Sequence, residues 1–209
     1  MLTRSTEGPE LSKQSDRQQT EEKLLISGLG GGGIITMGDI LANAALKQYQ
    51  HVAWFPCYNT MMRGGDSECC LIFSERAIPS PLAYKCTTVI AMGAVQATTL
   101  EERVETGGLM LIEGIGEQDE PATARGDIRI QRIPATKIAR GLGNPRNANL
   151  VMMGAYVELT KAIAPQMVEE EIERSFQLKG LQSALAAASE AFCQGIKVAQ
   201  QLTSKAQNS

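Results

Sequence analysis

The sequence predicts a single three-layer α/β domain, a mostly parallel sheet with flanking helices and a helical C-terminal third. Three observations carry this expectation. Apolar runs end in glycine and pass into stretches of helical periodicity, as over 24–48 and again over 87–104. Strand, glycine, helix, strand is the order in which right-handed crossovers on a parallel sheet are written. Beyond Ala135 the strand-like runs stop and apolar residues recur at helical spacing. A chain of 209 residues suits one such domain, and no internal repeat or second boundary interrupts it.

The elements follow in order. Leu24-Leu25-Ile26-Ser27 is a buried strand running into a glycine cluster. Ile34, Met37, Gly38, Leu41, Ala44 and Ala45 then share one helical face, which predicts a helix over 33–48. His51-Val52-Ala53-Trp54-Phe55 reads as a second strand, stopped by Pro56. Further strands are expected at 69–73, 87–93, 109–112 and near Ile128–Ile133, with a helix over 95–104 between two of them. Helices follow over 135–140, 148–160, 168–176 and 182–202. Glu169-Glu170-Glu171 reads as the solvated start of a helix, where acid suits the dipole. Of Met61, Met62, Met152 and Met153, at least half read as core fillers and the rest as lining for a partner surface.

Composition excludes several classes. Hydrophobic residues at 43% and charged residues at 21% describe an ordinary globular protein. A net charge of -3 without a basic stripe argues against nucleic acid. One histidine and five scattered cysteines argue against a zinc site or an iron–sulfur cluster, and no metal site is assigned. Their odd number fits reduced thiols in a cytoplasm rather than a disulfide framework, and Cys69 and Cys70 should point to opposite sheet faces. No apolar run approaches the ~18 residues of a membrane span. Residues 1–22 are polar and lack the apolar stretch of a signal peptide, so they read as a disordered tail before a domain over 23–204.

Two constellations carry chemistry. Gly28, Gly30, Gly31, Gly32 and Gly33 lie between the first strand and the first helix. Glycines there let the backbone approach an anion while the helix start offers free N–H groups. A dinucleotide site also requires an acidic residue where the second strand ends, and none follows Phe55 until Asp66. The turn therefore receives phosphate from another cofactor, or packs against a neighbouring subunit's backbone. In the second constellation Arg63, Gly64, Gly65 and Ser67 precede a strand. There an arginine fork can clamp a carboxylate or phosphate, or pair with nearby acids or a partner.

Together these segments resemble one family, the gamma subunit or domain of 2-oxoacid:ferredoxin oxidoreductases. Its G-x-G-G-Q-G matches Gly28 to Gly33, followed by Leu41-Ala42 and Ala44-Ala45. Its Y-G-x-E-x-R-G-G matches Tyr58 to Gly65, and Ile78 and Pro81 match its I-x-x-P. Ile133-Pro134-Ala135-Thr136, Leu142-Gly143-Asn144, Asn149 and Gly154-Ala155 continue the likeness. Arg63-Gly64-Gly65 leans toward the 2-oxoglutarate and branched-chain type over the pyruvate type. The family's glutamine is Gly32 here, its glutamate is Met61 and a glycine is Asn59.

The resemblance implies a non-thiamine-binding gamma subunit, inactive alone, in a complex that oxidatively decarboxylates a 2-oxoacid and forms an acyl-coenzyme A. Implied partners are thiamine-binding alpha and beta subunits and a ferredoxin-like iron–sulfur subunit. Thiamine diphosphate, magnesium and [4Fe-4S] clusters would reside there, with coenzyme A reaching this chain at the glycine turn and Arg63. No catalytic residue is assigned. Readings left open are an inert scaffold or regulatory paralogue of the same fold, and a nucleotide-binding module.

Overall fold

The computed structural model describes residues 21–58, 65–114 and 125–207. Of the expected tail over 1–22, residues 1–20 lie outside these residues, while Glu22 already belongs to the first strand, where it pairs with Phe73. The described residues form six strands and six α-helices: β1 (Glu22–Leu29), α1 (Ile34–Leu46), β2 (His51–Tyr58), β3 (Asp66–Ser74), β4 (Cys86–Ala91), α2 (Ala94–Leu100) and β5 (Val104–Glu113) come first. β6 (Arg129–Ile133), α3 (Ala135–Gly141), α4 (Ala148–Thr160), α5 (Pro165–Leu178) and α6 (Gln182–Gln207) complete the chain. The elements lie where expected, but β1 and β5 are longer than their apolar cores and the helix after β4 ends earlier, at Leu100. Nor does Pro56 stop β2, which stays paired with β3 to Tyr58 on the sheet edge, where a missing N–H is tolerated.

The strands form one sheet in the order β2-β3-β1-β4-β5-β6. β1, β4, β5 and β6 are parallel neighbours, whereas β3 runs antiparallel to both β1 and β2. The sheet is thus mixed. Segment 59–65 between β2 and β3 is shorter than the roughly dozen residues a parallel crossover needs, so the chain must fold straight back.

Strand alternation divides the core in two. Leu24, Ile26, Cys69, Leu71 and Phe73 face a large cluster shared with α1, α3, α4, α5 and α6. Leu25, Val89, Ala91, Met110 and Ile112 face a smaller one shared with α2. Cys69 belongs to the first face, while Cys70 pairs across from Leu25 on the second. Burial pushes the Cys69 thiol up to about 12, which leaves it a packed sulfur rather than a nucleophile.

α4 is the centre of the helical layer. Its residues from Ala148 to Val157 are all buried, Met152 and Met153 completely, as expected of a helix apolar on every side. It lies against α6 so closely that a Cβ on Gly195 would stand 2.0 Å from the Val151 carbonyl oxygen. Asn147 Nδ2 also donates to the Ala187 oxygen at 3.2 Å.

One expectation needs correcting. Glu169 and Glu170 are exposed, but Glu171 is buried, with 5% of its surface accessible. Lys47 Nζ at 3.0 Å and Arg174 Nε at 2.5 Å hold its carboxyl below the usual carboxylate range against the opposing effect of burial. Helical geometry puts the third acid on the face turned toward α1, where a cation from another element waits.

Candidate functional site

β1 and β4 are parallel neighbours, yet the helices that follow them cover opposite faces, α1 the large core and α2 the small one. Such a divergence opens a crevice beyond the carboxyl ends of the two strands, the habitual ligand position in α/β sheets. The glycine turn stands there, joined to the β4 end by the Met92 amide, which donates to the Ser27 oxygen at 2.8 Å.

Within the turn, the Gly32 amide donates to the Leu29 oxygen at 3.0 Å, and residues 29–32 are exposed. Gly33 has φ +76°, and a Cβ there would lie 2.4 Å from Asn149 Nδ2. Asn149 is buried at the start of α4. It donates from Nδ2 to the Gly33 oxygen at 3.3 Å while its Oδ1 accepts from the Leu150 amide at 3.0 Å. The exit of the turn is therefore propped from α4, a segment more than a hundred residues away in the chain.

The second constellation reaches the same place. Gly30 N–H donates to the Gly65 oxygen at 3.0 Å, and Ser67 is the register partner of Gly28. Gly65 and Ser67 thus border the turn, whereas Arg63 and Gly64 lie outside the described residues. Beside them, Ser27 Oγ donates to Glu68 Oε1 at 3.3 Å, tethering that carboxylate.

Electrostatics distinguish the helix starts. α3 is capped by Glu113 at the end of β5, whose carboxylate accepts the Thr136 amide at 3.0 and 3.2 Å, with burial pushing its pKa up. α1 has no side-chain cap and no acid in its first turn. An exposed glycine turn before an uncapped 13-residue helix is suited to an anionic group. Among the described residues no cluster of three or more His, Cys, Asp and Glu could hold a metal ion.

The family model for pyruvate ferredoxin/flavodoxin oxidoreductase matches residues 23–198. The chain belongs to that family. It is 31% identical over 144 residues to ketoisovalerate oxidoreductase subunit VorA of Methanothermobacter thermautotrophicus, covering 69% of this chain and 29% of the relative. It is 29% identical over 159 residues to 2-oxoglutarate synthase subunit KorC of Methanocaldococcus jannaschii, covering 75% of this chain and 84% of that one. Among solved structures, 2-oxoglutarate:ferredoxin oxidoreductase from Magnetococcus marinus, with 2-oxoglutarate, coenzyme A and succinyl-CoA bound, shares the fold at TM-score 0.80. Identity there is 23%, covering 88% of this chain and 32% of that one. The chain thus spans about a third of two of these oxidoreductase relatives and most of the third.

Within this member of the pyruvate ferredoxin/flavodoxin oxidoreductase family, the glycine turn was the legible part of the candidate site. Its neighbours were less so. Asn149 was visible only as a motif match, since its bond to Gly33 has no local signature. Glu68 and Glu113 carried no signal, as each acquires its role through a partner on another element.

Proposed function

We propose that this chain is the gamma-type component of a cytoplasmic 2-oxoacid:ferredoxin oxidoreductase complex, and that its glycine turn receives phosphate of coenzyme A. The observation that carries this reading is the convergence of the exposed turn, the uncapped start of α1, and the Gly65–Ser67 edge. Backbone N–H groups of Gly31, Gly33 and Ile34 bind the anion, Asn149 fixes the turn that presents them, and Arg63 adds a charge clamp from the adjoining segment. Thiamine diphosphate, magnesium and iron–sulfur clusters belong to alpha, beta and ferredoxin-like partners in this reading. They supply the decarboxylation and electron transfer, while this chain contributes binding and orientation of the acyl acceptor. The affinity to VorA and KorC favours a branched-chain 2-oxoacid or 2-oxoglutarate as substrate.

Purification of the tagged chain from its own host tests the assignment. Co-purifying thiamine-binding and iron–sulfur chains, with coenzyme A-dependent reduction of a dye by a 2-oxoacid, are the expected result. Arg63→Ala in that complex should raise the KM for coenzyme A; an unchanged KM removes Arg63 from the site. A second reading, a non-catalytic paralogue, draws on Gly32, which has no side chain where the family motif carries glutamine. It requires the partners to assemble without any such activity.

A further inference from the structure

Away from the glycine turn, α1 and α5 enclose a cleft of about 240 Å³. That is smaller than the ~300–1,000 Å³ of sites for drug-sized ligands, so its occupant must be a small metabolite. Asp39 and Asn43 line it from α1, with Arg174, Ser175 and Leu178 from α5 and Lys179 just beyond.

The charges on the two walls are unequal. Glu171 is already matched by Lys47 and Arg174 Nε, so it offers the cleft no free carboxylate. Asp39 Oδ1 accepts only from Asn43 Nδ2 at 3.1 Å and pairs with no cation among the described residues. On the other wall Lys179 has no ion-pair partner, and Arg174 bonds Glu171 through Nε with no hydrogen bond from its terminal nitrogens, again among the described residues. Ser175 supplies an independent observation. It is buried, with 7% of its surface accessible, and its hydroxyl has no hydrogen-bond partner. Buried hydroxyls are normally satisfied, and one left open beside a polar cleft invites a ligand atom.

We infer that this cleft is a binding site for a small zwitterion of the α-amino acid class. Its carboxylate meets Arg174, Lys179 and the Ser175 hydroxyl on α5, and its ammonium meets Asp39 and the Asn43 carboxamide oxygen on α1. Leu178 and Ile40 give a short side chain limited apolar contact. A molecule carrying only one of the two charges leaves one wall unmatched.

The test uses the full chain without coenzyme A or partners, so its outcome is independent of the proposed function. Calorimetric titration with L-alanine, L-valine and L-glutamate should show saturable binding of at least one. For L-valine, the single-ended probes are its matching 2-oxoacid and isobutylamine, with the corresponding pair for any other binder. Both should bind at least ~10-fold more weakly, the loss expected for one charge contact. Asp39→Asn preserves the Asn43 bond to the Asp39 backbone oxygen, seen at 2.8 Å, so the fold is kept while the charge is lost. It and Lys179→Met should each weaken binding ~10-fold at unchanged Tm. Ser175→Ala should raise the Tm of the free chain, by removing an unsatisfied hydroxyl, and yet lower affinity. No saturable binding by any of the three up to ~10 mM, where affinity is too weak to be specific, overturns the proposal. So does a 2-oxoacid binding as tightly as its amino acid, or an Asp39→Asn variant binding like the wild type.

Discussion

Replacing Gly33 by alanine tests how the site is held. Alanine at φ +76° incurs about 1–2 kcal/mol of left-handed strain. Its Cβ would also sit 2.4 Å from Asn149 Nδ2, an overlap that costs about 1–3 kcal/mol to relieve. Together these give a destabilisation of about 2–5 kcal/mol. Asn149→Ala alone removes the bond to the Gly33 oxygen and the cap on the Leu150 amide, about 1–2 kcal/mol. The double variant should lose less than the sum. With Asn149 truncated the overlap has no partner, and only strain and the lost hydrogen bonds remain. Urea unfolding of the four proteins should therefore give a coupling of about 1–3 kcal/mol. If the double variant equals the sum within ~0.5 kcal/mol, Asn149 does not prop the turn in the way described.

Two other substitutions read the core. Gly195→Ala gains about 1 kcal/mol of helix propensity, but its Cβ meets the Val151 oxygen at 2.0 Å, so the helices must part. The net result should be a loss of about 2 kcal/mol or more in urea unfolding, whereas a more stable variant would mean that α4 and α6 are not so close. Glu22 is largely buried, accepting from Thr88 Oγ1 at 2.8 Å and the Tyr156 hydroxyl at 3.3 Å, and burial pushes its pKa up. A raised carboxyl stabilises the fold below its ordinary range and loses that contribution as pH rises through the folded value. Glu22→Gln keeps an oxygen for both donors and should raise Tm more at pH 8 than at pH 4.5; a pH-independent difference would contradict the assignment.

Much of this was legible because the signals are local. Leu24 to Ser27, the glycines after them and the periodicity from Ile34 specify strand, turn and helix without reference to the rest of the chain. The direction of β3 was not legible, because strand ends read at Phe55 and Cys69 leave about a dozen residues between them, enough for either pairing. Only the true ends at Tyr58 and Asp66 make the connection too short for a crossover. Nor was the burial of Glu171, which follows from Lys47 arriving on α1. Gly30 and Gly65 were each marked as site residues, but the hydrogen bond that unites them depends on strand register, which a single strand does not encode.

The close fit of α4 against α6 also fixes when the site becomes usable. The glycine turn is synthesised well before α6, yet the helix that props it is packed by α6. At ~5–20 residues per second, roughly 10–30 s separate translation of Gly33 from that of α6. Throughout that interval a nascent chain on the ribosome can pair its strands but cannot lock its turn. A partner subunit that docks against the turn therefore meets a finished surface only once α6 has packed onto α4.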